Sequence, residues 1–115
     1  MRILFLGDII GLSGCEFKNK NLLKKIKKKK IDFVIVNGEN AAENGLGISN
    51  KIAKNLFKCG VNVITSGNHI WEQKETLTYI KKEERLLRPY NSFSQVPGKG
   101  FNIFKLKNDY RIGVL

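Results

Sequence analysis

The chain has 115 residues, with 21 lysines and arginines against 10 aspartates and glutamates, and its formal charge at pH 7 is +11. This length accommodates one domain at most, and an apolar content of 42% is sufficient for a hydrophobic core, which excludes a disordered chain. The apolar stretches are far shorter than the roughly 20 residues of a membrane span or the roughly 7 to 15 of a secretory signal, so we expect a cytoplasmic protein that has no membrane partner.

Three short and continuously apolar runs lie at residues 3–6, 33–36 and 61–64. Runs of this length and composition are typical of strands that are buried on both faces of a parallel sheet. They are separated by segments of helical periodicity, so the order of elements is strand, helix, strand, helix, strand, helix. This order predicts an α/β fold with a parallel sheet of three βα units and right-handed crossovers.

The three predicted helices cover about 15–30, a segment that ends at Cys59 before Gly60, and about 72–82. Each presents an apolar face to the sheet, formed in turn by Leu22, Leu23 and Ile26, by Ile48, Ile52 and Leu56, and by Leu77 and Ile80. The lysines in the last turns of the first helix suit the negative end of its macrodipole. We interpret Cys15 and Cys59 as packing thiols, because their separation matches no zinc-ligand spacing.

Near its end the sequence has two strand patterns, at 100–107 and 110–115, on either side of a turn signal at Asn108-Asp109. These patterns predict an antiparallel pair of strands. The second strand pattern continues to the final residue with no polar tail. We therefore expect an interrupted domain rather than a finished one.

Polar, glycine-bearing turns follow each of the three apolar strands, and they contain Asp8, then Glu39 and Asn40, then Asn68 and His69. The carboxyl ends of parallel strands gather at one edge of the sheet, so these side chains should converge there. Carboxylate and amide oxygens suit divalent cations, and two such ions can clamp a phosphoryl group and activate a water. Simpler roles stay open: Asp8 and Asn68 could cap helices, and Asn40 could be a turn residue.

Four motifs stand out by their order and spacing. They are Gly7-Asp8-Ile9-Ile10-Gly11, Asn37-Gly38-Glu39-Asn40-Ala41-Ala42, Gly67-Asn68-His69 with Trp71, and Arg88-Pro89 followed by Pro97-Gly98-Lys99-Gly100. These motifs carry a resemblance to the YmdB-like branch of the calcineurin-type metallophosphoesterases. The resemblance implies that residues 1–115 are the N-terminal part of a single metallophosphoesterase domain, a four-layer α/β/β/α sandwich whose C-terminal half is absent here. It also implies a dinuclear metal-dependent phosphodiesterase that acts on cyclic nucleotides such as 2′,3′-cyclic AMP.

The same resemblance implies a role for each candidate site residue. Asp8 and Asn40 would bind one metal, Glu39 would bridge both metals, Asn68 would hold the second, and His69 would donate a proton to the leaving group. The metals in this family are usually iron or manganese, whereas oxygen donors alone also suit magnesium.

This sequence departs from the family pattern in two ways. Ser13 and Cys15 stand where a proline and an arginine are common around Gly14, so a phosphate contact from that arginine is absent. The remaining metal ligands of the family are histidines from its second half, and His69 is the one histidine of this chain. We therefore expect an incomplete form with weak activity or none.

Three alternatives remain open. A non-catalytic protein could use the lysine-rich run at 24–30 to bind nucleotides or RNA. A separate chain could instead supply the histidine-bearing half, or copies of this chain could associate as a homo-oligomer.

Overall fold

A four-stranded parallel sheet forms the centre of the molecule, and its strands lie side by side in chain order. The structure is a computed structural model that describes residues 1–107 and 109–115, with the backbone alone at 17–20. The sheet strands are β1 (Ile3–Leu6), β2 (Phe33–Asn37), β3 (Val63–Thr65) and β4 (Leu86–Leu87). The α/β class and the three predicted strands are confirmed, and β4 is an additional strand.

The pairing of the strands shows why the apolar runs of this sequence form the inside of the sheet. β1 and β2 pair over four residues, from Ile3 opposite Phe33 to Leu6 opposite Val36, and β3 then pairs with β2 and with β4. Phe33, Val34 and Val36 are all buried. A strand in the middle of a sheet with both faces covered requires this continuous apolar sequence.

The helices are α1 (Gly11–Lys29), α2 (Asn50–Lys58) and α3 (Lys74–Tyr79), and a short 3₁₀ helix (Asn68–Trp71) precedes α3. α1 begins before the predicted start near residue 15. α2 ends one residue before Cys59, and the Ser49 side chain caps its first turn by accepting a hydrogen bond from the Ile52 N–H at 3.3 Å.

The predicted third helix at 72–82 was wrong in extent, since α3 covers only Lys74–Tyr79 and the 3₁₀ helix lies before that range. Its predicted apolar face was also partly wrong. Ile80 is buried but Leu77 is exposed, and Thr76 is buried instead because its hydroxyl donates to the Ile48 carbonyl oxygen at 2.6 Å. In α1, Leu22 is buried as predicted, whereas Leu23 is exposed.

Two hydrophobic clusters lie on opposite sides of the sheet. The larger cluster joins the helices to one face, and it contains Ile9, Leu22, Ile48 and Leu56. On the other face the antiparallel pair β5 (Asn102–Lys105) and β6 (Arg111–Val114) packs on Phe33, Val63 and Leu87. The predicted antiparallel pair is therefore confirmed, with shorter strands. The predicted turn lies partly outside the described residues, because Asn108 is not among them.

Two further expectations concern the cysteines and the membrane. Cys15 is buried and Cys59 is partly buried, and neither forms a disulfide among the described residues, as expected for packing thiols. Within the described part of the chain, no helix is both long enough and apolar enough to cross a bilayer.

Candidate functional site

The loops after β1 and β2 are joined directly at the carboxyl edge of the sheet. The Asn40 amide nitrogen donates to both carboxylate oxygens of Asp8, each at 3.2 Å. The backbone holds the two loops together, since the Gly11 N–H donates to the Asn40 carbonyl at 2.9 Å and the Ile9 N–H to the Asn37 carbonyl at 3.1 Å. Asp8 and Asn40 therefore form one polar group, as predicted from the sequence.

The loop after β2 also reaches the loop after β3, through Glu39. The Glu39 N–H donates to the Asn37 side-chain oxygen at 2.9 Å, and its carbonyl accepts from the Gly47 N–H at 2.7 Å. Its carboxylate lies directly over Gly67, where an added Cβ would overlap the carboxylate atoms. A side chain at position 67 would therefore displace the Glu39 carboxylate from its place between these two loops.

Asn68 and His69 follow Gly67 and form the first turn of the 3₁₀ helix. Asn68 is exposed, and within the described residues its side chain has no hydrogen bond to Asp8, Glu39 or Asn40. The Nδ1 atom of His69 is buried and accepts or donates no hydrogen bond among the described residues. The nearest carboxylate oxygen to it belongs to Glu72, at 4.0 Å.

The caps of the helices exclude two of the simpler roles. The residue that precedes α1 is Ile10, and no side chain caps that helix, so Asp8 is not its cap. Gly67 precedes the 3₁₀ helix and Gln73 precedes α3, so Asn68 caps neither. Asn40 does lie in a turn, but its side chain is used to bind Asp8.

The donor chemistry at this edge fits a hard divalent cation. Asp8 and Glu39 supply carboxylate oxygens and Asn40 an amide group, which are the ligands that magnesium, calcium and manganese prefer. Among the described residues, no three histidine, cysteine, aspartate or glutamate side chains come together as a metal site. The residues present thus fit part of a coordination shell, with further ligands still required.

Three contacts at the site were not predicted from the sequence. The Asn37 side chain orients Glu39, Gly67 receives the Glu39 carboxylate, and Glu72 lies near His69. The i, i+3 spacing of His69 and Glu72 on a helical turn is a signal that could have identified their proximity. The contact at Gly67 depends on strand register and has no local signal.

Comparisons with known proteins place these features in a family. A family model described as "YmdB-like protein" matches residues 4–115. The 2′,3′-cyclic-nucleotide 2′-phosphodiesterase of Bacillus subtilis (strain 168) is 42% identical over 105 residues, which cover 91% of this chain and 39% of that protein.

Two solved structures resemble the whole fold. The crystal structure of a hypothetical protein from Thermus thermophilus gives a TM-score of 0.84 at 34% identity, over 93% of this chain and 41% of its own. A novel phosphatase from Mycoplasma pneumoniae gives a TM-score of 0.80 at 38% identity, over 90% of this chain and 38% of its own. This chain thus spans about two fifths of the length of these relatives. A family match over nearly the entire sequence shows that the chain belongs to the YmdB-like protein family.

Proposed function

We propose that this chain supplies the oxygen-ligand part of a metal-dependent phosphodiesterase site that hydrolyses cyclic nucleotides such as 2′,3′-cyclic AMP. The observation that supports it most is the joining of three strand-end loops, with Asn40 bonded to Asp8 and Glu39 against Gly67. The Bacillus subtilis relative, named as a 2′,3′-cyclic-nucleotide 2′-phosphodiesterase, supports the choice of substrate class.

Two divalent metal ions, iron or manganese, are the cofactors of this proposal. Asp8 and Asn40 would hold one ion, Glu39 would bridge both, and Asn68 would hold the second. Bound ions would supply a water of lowered pKa and neutralise charge on the phosphate. Asn68 is exposed and lies one residue after Gly67, which is in contact with the Glu39 carboxylate.

His69 is the proton donor in this proposal. Hydrolysis forms a bond from a water oxygen to phosphorus and breaks the bond from phosphorus to one ribose oxygen, which must then receive a proton. Because Nδ1 of His69 is buried and faces Glu72, the other ring nitrogen, Nε2, is the one we assign to the substrate. The Nε2 proton would go to the leaving ribose oxygen, and the proton that the attacking water loses would restore it.

The chain by itself would hold metal weakly and turn over almost no substrate. Two carboxylates and two amides fill only part of the shell around two ions, and the described residues offer no cluster of three stronger ligands. The missing ligands would come from the remainder of a longer polypeptide or from a second chain.

Titration of Mn²⁺ into the chain, followed by electron paramagnetic resonance, tests the metal part. We expect Asp8→Asn and Glu39→Gln to weaken binding at least tenfold, while His69→Ala keeps the wild-type affinity. Asp109→Asn is the matched control, because Asp109 is exposed and pairs with Lys105 at 2.8 Å, away from the site. Equal Mn²⁺ affinity in Asp8→Asn, Glu39→Gln and the control would reject the proposed site.

Hydrolysis of bis-p-nitrophenyl phosphate with Mn²⁺ tests the incompleteness of the chain. We expect no turnover above that of the Asp8→Asn variant. A rate that Asp8→Asn abolishes would contradict the proposed need for further ligands.

A second candidate function rests on the last turn of α1. Lys27, Lys28 and Lys29 lie there and are exposed, and a crossover helix ends at the opposite edge of the sheet from the candidate site. This surface suits a polyanion such as RNA independently of the metal site. The affinity for a labelled single-stranded RNA should then fall steeply between about 50 and 200 mM salt, because several phosphate contacts release counterions. EDTA should leave that affinity unchanged.

A further inference from the structure

A cavity of about 410 Å³ lies between the first turns of α1, the loop after β2 and the helix α2. Its size falls in the range of roughly 300 to 1,000 Å³ that is usual for small-ligand sites. Neither Asp8 nor Glu39 lines it, so it is separate from the candidate metal ligands and the proposed function does not use it.

The loop after β2 contributes to both the cavity and the candidate metal site, and α1, which lines the cavity, begins three residues after Asp8. Ala42 in the cavity wall lies two residues after Asn40, and Leu12 lies four residues after Asp8. Two residues of chain span at most about 7 Å, so the cavity wall begins within that distance of the Asn40 backbone. A ligand of nucleotide size could therefore extend from one to the other.

The cavity combines an apolar interior with a rim of side-chain amides. Leu56, Cys15 and Ala42 line it and are buried. The amides belong to Asn44, Asn55 and Gln73. An apolar interior with a few directed polar groups is the usual composition of a site for a heterocyclic ligand.

The hydrogen bonds already present leave part of each amide available. The Gln73 nitrogen donates to the Leu46 carbonyl at 2.8 Å, and the Asn44 oxygen accepts from the Leu46 N–H at 3.2 Å. The Gln73 oxygen and the Asn44 nitrogen remain for a ligand. No hydrogen bond among the described residues occupies the Asn55 amide, which offers a donor and an acceptor side by side.

The charges on the rim favour an uncharged ligand group over a free phosphate. Two carboxylates, Glu16 and Glu43, and one ammonium group, Lys51, line the cavity. The two carboxylates repel an anion, and they can accept hydrogen bonds from hydroxyl and amino groups. The phosphate of a nucleotide would thus stay outside the cavity.

We propose that this cavity is a nucleoside site, in which the base and ribose of the substrate bind while the phosphate lies at the Asp8 and Glu39 loops. This inference rests on the proposed function for the identity of the ligand. Adenine is the base that an asparagine or glutamine amide pairs with through two parallel hydrogen bonds, so Asn55 is the residue that we expect to select it.

Adenosine, which has no phosphate, is the probe for this site. It is titrated into the ¹⁵N-labelled full chain in EDTA, and amide shifts are followed by NMR. We expect saturable shifts at 42–44 and 51–56, with a dissociation constant on the order of 0.1 mM. Asn55→Leu should weaken binding about tenfold or more. Asn91→Leu, at an exposed asparagine that does not line the cavity, should bind adenosine like the wild type.

A second variant, Leu12→Trp, places an indole ring into the cavity from a half-exposed helical position and should also weaken binding. Circular dichroism shows whether each variant is folded. The inference is overturned if adenosine gives no saturable shifts up to about 5 mM, if both cavity variants bind like the wild type, or if inorganic phosphate shifts the same amides.

A separate Mn²⁺ titration distinguishes this inference from the proposed function. Mn²⁺ binding without adenosine binding would reject the nucleoside site and leave the metal site standing. Adenosine binding without Mn²⁺ binding would support the nucleoside site and reject the metal site.

Discussion

Two glycines in the loop after β2 offer a matched test of how this loop holds the turn that carries His69. Gly45 and Gly47 both have a φ of 76°, so an alanine at either position meets the same left-handed backbone strain. Their surroundings differ: a Cβ at Gly45 has no neighbour within 4 Å, whereas a Cβ at Gly47 would overlap the carbonyl oxygen of His69. The pair therefore separates backbone strain from the contact between loops.

We expect Gly45→Ala to lower the free energy of unfolding by about 1 to 2 kcal/mol, the strain of alanine in the left-handed region. Gly47→Ala carries the same strain and also forces two backbone segments apart. The Gly47 N–H donates to the Glu39 carbonyl at 2.7 Å and its carbonyl accepts from the Ala42 N–H at 2.8 Å. Loss of these two bonds adds about 1 to 3 kcal/mol, for a total of about 2 to 5 kcal/mol.

Urea unfolding followed by circular dichroism measures both free energies. A change of about 1 kcal/mol corresponds to roughly 4 °C in Tm for a domain of this size, so thermal unfolding provides a second readout. Equal destabilisation by Gly45→Ala and Gly47→Ala would refute the reasoning, because it would mean that the loop after β2 does not lie against the His69 carbonyl.

Three further predictions concern single side chains. Gly67→Ala should displace the Glu39 carboxylate and weaken Mn²⁺ binding about 10- to 100-fold. It should cost little stability, because the φ of −131° at Gly67 is open to alanine. Gly7→Ala is the control: an added Cβ there meets no atom within 4 Å, so Mn²⁺ affinity should stay unchanged. Thr76→Val should lower the free energy of urea unfolding by about 1 to 3 kcal/mol, because it leaves a buried carbonyl without its donor. A hydrogen bond from the Arg85 side chain lowers the pKa of Glu83 from its ordinary value of 4.5. The stability that this hydrogen bond adds is therefore present above pH 4.5, and it is lost as the pH falls through the lowered pKa. Glu83→Gln should remove that pH dependence from unfolding curves.

Much of the fold could be predicted because its strands are continuous apolar runs. The strand that contains Phe33 is buried on both faces, and a continuous apolar run is the sequence pattern of such a strand. β4 had no such pattern, because two residues, Leu86 and Leu87, form a strand only by pairing with Ile64 and Thr65. The early start of α1 was missed for a related reason, since Gly11 and the absence of a side-chain cap give no local signal for a helix.

The third helix shows where helical periodicity misleads. Leu77 was expected in the core, as its apolar side chain suggests. In the structure Leu77 is exposed and Thr76 is buried, because the Thr76 hydroxyl donates to the Ile48 carbonyl, which lies in a distant part of the chain. Periodicity contains no information about the location of an unpaired carbonyl.

The candidate site was easier to predict than the helices. Asp8, Glu39 and Asn40 lie two or three residues after strand ends, and parallel topology alone brings strand ends together. The position of Asn68 relative to them, and the cavity beside α2, depend on loop conformations that the sequence pattern does not encode.

The position of β2 between β1 and β3 restricts where related sequences can accept insertions. Its following loop bonds to the loop of β1 on one side and touches that of β3 on the other, so an insertion there would disturb both neighbours at once. The segment after β4, at 90–96, exposes Tyr90 and Phe93. Related proteins should therefore vary in length at 90–96 and keep a fixed number of residues between Asn37 and Ser49.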